Sequence, residues 1–75
     1  MGETCGPYTR VGQRVVFSHP ENGYEHDIAE AAKLLAPGQV YTVSKVYIGG
    51  WFTELTFEEV GETKFNSVQF SPERT

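Results

Sequence analysis

Seventy-five residues with ten acids against six bases, net charge −4, make one small domain with a thin core. Cys5 is the single cysteine, which excludes an intrachain disulfide, fits a reducing cytoplasm and leaves oligomerisation as the source of extra burial. Long nucleic acid is an unsuitable ligand, because its binders neutralise many phosphates, whereas Arg10, Arg14, Lys33, Lys45, Lys64 and Arg74 are scattered; one or two of these cations would still suffice for a ligand with one or two phosphates.

Residues 1–10, "MGETCGPYTR", show no periodicity and read as a flexible arm. They have no apolar stretch with a cleavage pattern, so they do not read as a signal peptide, and Cys5 precedes any Ser or Thr at the place myristoylation requires. No apolar run in the chain is long enough to cross a bilayer, and a soluble, cytoplasmic protein is expected. Val15, Val16 and Phe17 then predict a short strand between Gly12 and Pro20. Asn22-Gly23 is a turn signal. "DIAEAAKLLA" predicts the one helix: Asp27 at the cap with Glu30 three residues on, and Ile28, Ala31, Ala32 and Leu35 on one face. Pro37-Gly38 ends it.

From Gln39 the period changes to two. Tyr41 and Val43 share one phase and Val46 and Ile48 the other, so a bulge or sharp bend is expected near Ser44-Lys45. Gly49-Gly50 predicts a tight turn. After it Trp51, Thr53, Leu55 and Phe57 alternate with Phe52, Glu54, Thr56 and Glu58 as a half-buried antiparallel strand. "GETK" reads as the next turn and "FNSVQF" as the last element before a polar tail, residues 72–75. The fold class is therefore mainly β: four or five short antiparallel strands, residues 11–71, curled into a small barrel or strongly twisted sheet, with one short helix in the first long loop.

No arrangement of residues points to catalysis or to a cofactor. His19, Glu21, Glu25, His26 and Asp27 are close in sequence, but their spacing matches no compact metal-ligand pattern and a solvated acidic loop is expected. Ser18 and His19 are neighbours and would point to opposite faces of a strand, as would Glu58 and Glu59. Gly49-Gly50 lacks the helix that a phosphate-binding loop needs. A non-enzymatic protein is expected. The aromatic residues carry the binding reading: on a strand, Trp51 and Phe52 place one ring inward and the other outward beside Tyr41 and Tyr47, as a stacking platform for bases or a groove for peptide. Asn66-Ser67 is either the turn between core residues Phe65, Val68 and Phe70, or a polar edge beside Trp51 suited to an adenine edge and a phosphate. In the second case Lys64, Lys45 or Arg14 would supply charge, and the candidate site is Trp51, Phe52, Tyr47, Asn66, Ser67, Lys64, Lys45 and Arg14.

Two resemblances add to this reading. "LLAPGQVYTV" and "FNSVQF" resemble the second-strand entry and the closing helical turn of Src-homology-3-type barrels, which implies that residues 18–38 occupy the long first loop. Residues 38–70, with Gly38, Tyr41-Thr42-Val43, Trp51, Glu58-Glu59 and Phe65-Asn66-Ser67-Val68, resemble small proteins of bacteriophages and actinobacteria. That resemblance implies a role against bacterial defence in the host-cell cytoplasm, as an oligomeric sponge that sequesters a cyclic-nucleotide signal between subunits. The alternative is an acidic adaptor or inhibitor, whose Glu54, Glu58 and Glu59 steer it to a basic host protein.

Overall fold

The computed structural model describes residues 4–73; the first three residues of the expected arm and the last two of the expected tail lie outside the described residues. The chain runs β1 (Arg14–Phe17), α1 (Glu25–Leu34), β2 (Val40–Ile48), β3 (Thr53–Phe57), β4 (Gly61–Asn66), a 3-10 turn (Ser67–Gln69) and β5 (Phe70–Pro72). The strands form one five-stranded sheet in the order β4-β3-β2-β1-β5, antiparallel throughout. The helix lies in the first long loop, as the sequence predicts. The sheet is a strongly twisted one: β4 and β5 are its two edges and no ladder joins them.

β2 turns the corner. Val40 to Thr42 pair with β1, whereas Val43 to Ile48 pair with β3, and the register shifts between Val43 and Lys45. That shift is the expected bulge. It moves the inward phase by one residue, so Tyr41 and Val43 are buried before it and Val46 packs against the core after it. Ser44, at the bulge, hydrogen-bonds Thr56 through their hydroxyls at 2.7 Å.

The core is a phenylalanine cluster. Phe17, Phe57, Phe65 and Phe70 are all but inaccessible, with Phe57 and Phe70 centroids 4.8 Å apart and Phe57 and Phe65 5.7 Å apart. Burying one such ring stabilises by about 1.5–3 kcal/mol, which matters in so small a domain. Cys5 belongs to this core: it is buried, and its N–H donates to the Phe70 carbonyl at 2.7 Å. Cys5, within the expected arm, is thus packed on the edge of β5, where Pro72 in addition has no N–H to offer a passing strand.

The helix begins two residues before the predicted start. Tyr24 is the N-cap, and Asp27 sits in the first turn, where its Oδ2 accepts the Tyr24 N–H at 2.9 Å. Gly23 permits this: its φ is +97°, and a Cβ there would fall 3.1 Å from that oxygen. The same Oδ2 accepts the Asn66 Nδ2 at 3.1 Å, while Asn66 Oδ1 accepts the Val68 N–H at 3.2 Å. At the other end of the helix the Ala36 N–H donates to the Tyr41 hydroxyl at 2.9 Å. Of the expected inner face, Ala31 and Leu35 are buried and Ile28 partly so, but Ala32 faces outward.

Asn66 is therefore a joint between helix and turn. Asn66→Ala leaves the buried Asp27 carboxylate and the Val68 N–H each short of a partner, at a cost of about 1–3 kcal/mol. The melting temperature should fall by about 4–8 °C for each kcal/mol lost. Asn66→Asp, which sets a second carboxylate against Asp27, should melt lower still at neutral pH. Thermal melts of the three chains check this, and equal melting temperatures would contradict it.

Candidate functional site

The β2–β3 hairpin closes through the Gly49 N–H, which donates to the Phe52 carbonyl at 3.0 Å. A Cβ on Gly49 would lie 2.9 Å from that oxygen, so only glycine allows the approach. The last paired residues are Ile48 and Thr53. Trp51 consequently stands at the apex of the hairpin rather than on the strand, and it is 94% exposed. From Thr53 on, Thr53, Leu55 and Phe57 are buried as the alternation predicts and Glu54 is half-buried, but Thr56, expected on the other face, is buried as well. Ile48, at the base of the turn, is 68% exposed.

Beside this tip is an open cleft of about 390 Å³. Ile48 to Thr53, Cys5 to Pro7, and Ser67 and Val68 of the 3-10 turn line it. Among the described residues no charged side chain lines it. Cys5 contributes from a buried position: burial pushes its thiol above the ordinary thiol range, partly offset by a hydrogen bond with Thr9. The thiol is therefore held neutral, which lowers its nucleophilicity.

Of the eight residues in the candidate site, Trp51, Phe52 and Ser67 come together at this cleft. Asn66 is 2% exposed and its amide is engaged with Asp27 and Val68. Tyr47 and Lys64 form a pair of their own, with the ammonium 4.3 Å from the ring centroid, an arrangement worth about 0.5–1 kcal/mol at exposed sites. Arg14 is bound to Glu73 at 3.1 Å, and Lys45 is exposed on β2. None of these three cations lines the cleft. Phe52 also meets Tyr24 edge-on at 5.8 Å, and Tyr24 stacks on His26. Ile48, Val68 and the Cys5–Pro7 segment line the cleft but were not in the predicted site. Ile48 shares the phase of Val46, which packs on the core, so its exposure had no local signal; the other two are brought in by tertiary packing alone.

The acidic residues occupy a different place. Glu58 and Glu59 are exposed and follow β3, at the end opposite the Trp51 hairpin, with Glu54 half-buried on the strand between. Glu59 accepts from the Thr42 N–H at 2.8 Å and from its hydroxyl at 2.9 Å. Burial alone would raise this carboxyl, but the bonds from Thr42, helped by the Arg14 charge, hold it below the usual carboxylate range. Among the described residues, no group of three or more His, Cys, Asp or Glu could hold a metal ion. No described helix is long and apolar enough to cross a membrane.

Fold and cleft together define a small, mainly β domain with an uncharged aromatic cleft at one hairpin tip. The chain belongs to the family described as Bacteriophage T4 protein Y07B, whose model matches residues 8–74. Of the resemblance to phage and actinobacterial proteins, this match supports the phage part. No curated protein and no solved structure matches the chain.

Glu59 makes the stability of the fold depend on pH. Its carboxyl is lower in the folded chain than in the unfolded one, so its stabilisation is present above the ordinary carboxylate pKa of about 4.3 and is lost as pH falls through the folded value. Urea unfolding should find the wild type more stable than Glu59→Gln at about pH 7, with the gap closing as the pH falls through the folded value. A gap that is constant or widens in acid would contradict this.

Proposed function

We propose that this chain is a non-enzymatic phage binding module that captures a host protein at the Trp51 cleft. One observation carries the reading: the only tryptophan is spent at a hairpin apex, 94% exposed beside a cleft of about 390 Å³, in a chain that has little apolar surface to spare. Tryptophan is among the residues that most often dominate binding energy at protein interfaces. The glutamates at the far end of β3 would act separately, steering a basic region of the partner and raising the association rate. The host-cell cytoplasm is the compartment this reading expects, given the single neutral thiol.

The Src-homology-3 resemblance of the sequence supports a binding reading, and a five-stranded antiparallel sheet with a 3-10 turn before β5 is compatible with it. Barrels of that type recur as binding modules, although the fold by itself does not assign a partner. As for chemistry, the Ser18 hydroxyl is hydrogen-bonded to that of Ser71 and the Cys5 thiol is held neutral; neither supports an activated nucleophile.

A second reading is sequestration of a cyclic-nucleotide defence signal in a homo-oligomer. The cleft volume favours it, because small-molecule sites have about 300–1,000 Å³, and Trp51 and Phe52 could stack on bases. Among the described residues no cation lines the cleft, so in this reading a second subunit supplies the counter-charge for the phosphates.

The two readings separate in a thermal-shift screen against cyclic dinucleotides, cyclic trinucleotides and NAD-derived signals. Protein capture predicts no shift, while a photo-crosslinking residue at Ile48 attaches to a host protein in the wild-type background and to none in Trp51→Ala. A sponge predicts about 2.7 kcal/mol of added stability at a hundredfold excess over the dissociation constant, abolished by Trp51→Ala. Trp51→Ala itself should keep its melting temperature.

A further inference from the structure

We infer that Tyr24, at the start of the helix, is a positioning residue for the Trp51 tip: its ring props Phe52 and so holds the β2–β3 hairpin in the pose that presents Trp51. The contact stands whatever the tip binds; its value to recognition rests on the reading of the Trp51 cleft as a capture site. Ile48, Gly49, Gly50 and Trp51 are all exposed, and of the tip, residues 48–52, only Phe52 is half-buried. Phe52 meets the Tyr24 ring edge-on, with centroids 5.8 Å apart at an interplanar angle of 66°. In that arrangement the positive edge of one ring meets the negative face of the other. Phe52 is therefore the anchor of the tip, and Tyr24 is what it rests on.

Tyr24 can bear this load because it is pinned from several sides. Its N–H donates to the Asp27 Oδ2 at 2.9 Å, and its carbonyl accepts the Ile28 N–H at 3.0 Å. Its ring stacks on that of His26, with centroids 5.9 Å apart and the planes within 4° of parallel. The His26 Nε2 in turn lies 3.3 Å from the Asp27 Oδ1. Asp27 is itself buried and held by the Asn66 amide. A row of contacts thus runs from the buried joint through His26 and Tyr24 to Phe52.

On the hairpin side, the Phe52 carbonyl accepts the Gly49 N–H that closes the turn. Phe52 therefore carries the closing bond on its backbone and the Tyr24 contact on its side chain, directly after Trp51 in the chain. Swinging the tip away from the helix separates the two rings. Consecutive glycines, Gly49 and Gly50, otherwise give the tip wide conformational freedom. A tip ordered in advance loses less entropy when a partner covers it, which raises affinity without any new contact.

The Gly49 amide reads the pose, because a tip can open locally, and its amide exchange, while the rest stays folded. Hydrogen exchange followed by NMR is compared in the wild type, Tyr24→Ala, Tyr24→Phe and Tyr41→Phe. Loss of an edge-to-face ring pair shifts such an opening by roughly two- to tenfold, and Gly49 should exchange faster by that factor in Tyr24→Ala. Tyr24→Phe keeps the ring and should match the wild type. Tyr41→Phe removes the hydroxyl that accepts the Ala36 N–H past the other end of the helix; it should lower the melting temperature and leave Gly49 exchange unchanged. In Phe52→Ala the prop is already lost, so adding Tyr24→Ala should accelerate Gly49 no further. Unchanged exchange in Tyr24→Ala, or additive acceleration in the double variant, would overturn the prop. Equal acceleration in Tyr41→Phe would overturn it too, because the tip would then open only with the whole fold. Each of these outcomes leaves the capture reading standing; that reading fails separately, when the crosslinking residue at Ile48 attaches to no host protein.

Discussion

The buried hydrogen bond from Asn66 to Asp27 ties the end of β4 to the first turn of the helix. Asn66 ends β4 and opens the 3-10 turn; Asp27 lies in the first turn of the helix, 39 residues earlier. With the bonds to Tyr24 and Val68, the pair fixes where the helix starts and how the chain turns toward β5. Asn22 adds a second tie, donating to the Val68 carbonyl at 2.9 Å. Only with the turn so placed does Phe70 enter the core between Phe17 and Phe57. A buried carboxylate with too few donors is expensive, so the joint acts as a condition on the whole fold more than as one stabilising contact.

The same turn serves the surface. Ser67 and Val68 line the cleft under the Trp51 hairpin, so the residues that close the sheet also shape the candidate site. The hairpin tip, by contrast, gives almost nothing to the core. Gly49 lets the turn close, and the turn lifts Trp51 away from the protein. Stability rests on the phenylalanine cluster and the polar joint, and recognition on the tip and the strip of chain facing it. Such a division lets the tip change its side chains at little cost to folding, since exposed substitutions away from such features usually fall within about 0.5 kcal/mol.

Much of the architecture was legible because it follows local periodicity. The period-two runs marked β1, β2 and β3, the phase slip in β2 marked the bulge, and Asn66-Ser67-Val68 marked the turn before the last strand. Where reading and structure part, a longer-range cause can be named. The helix starts at Glu25 because Asp27 serves as an acceptor within the first turn, shared with Asn66, and the capping residue is the unremarkable Tyr24. β4 starts at Gly61, inside the stretch read as a turn, because that glycine takes a φ of +77° and the reversal is made by Glu58 to Val60.

The candidate site was less legible. Trp51 and Phe52 are conspicuous in sequence, but alternation put Trp51 in line with Leu55 and Phe57, and only the Gly49–Phe52 closure takes it out. Cys5 gave no periodic signal at all; it is recruited by pairing with Phe70 across 65 residues of chain. The cations expected to serve a ligand were found scattered, as they are in sequence, with Arg14 held by Glu73 and Lys64 lying over Tyr47.

Everything proposed for recognition depends on Trp51 standing in water. It is the only tryptophan, so its fluorescence reports on that position alone. In dilute native protein its emission should sit where free indole emits in water, and acrylamide should quench it nearly as well as in the urea-unfolded chain. A blue-shifted native emission that acrylamide reaches poorly would put Trp51 inside the fold and remove the binding tip.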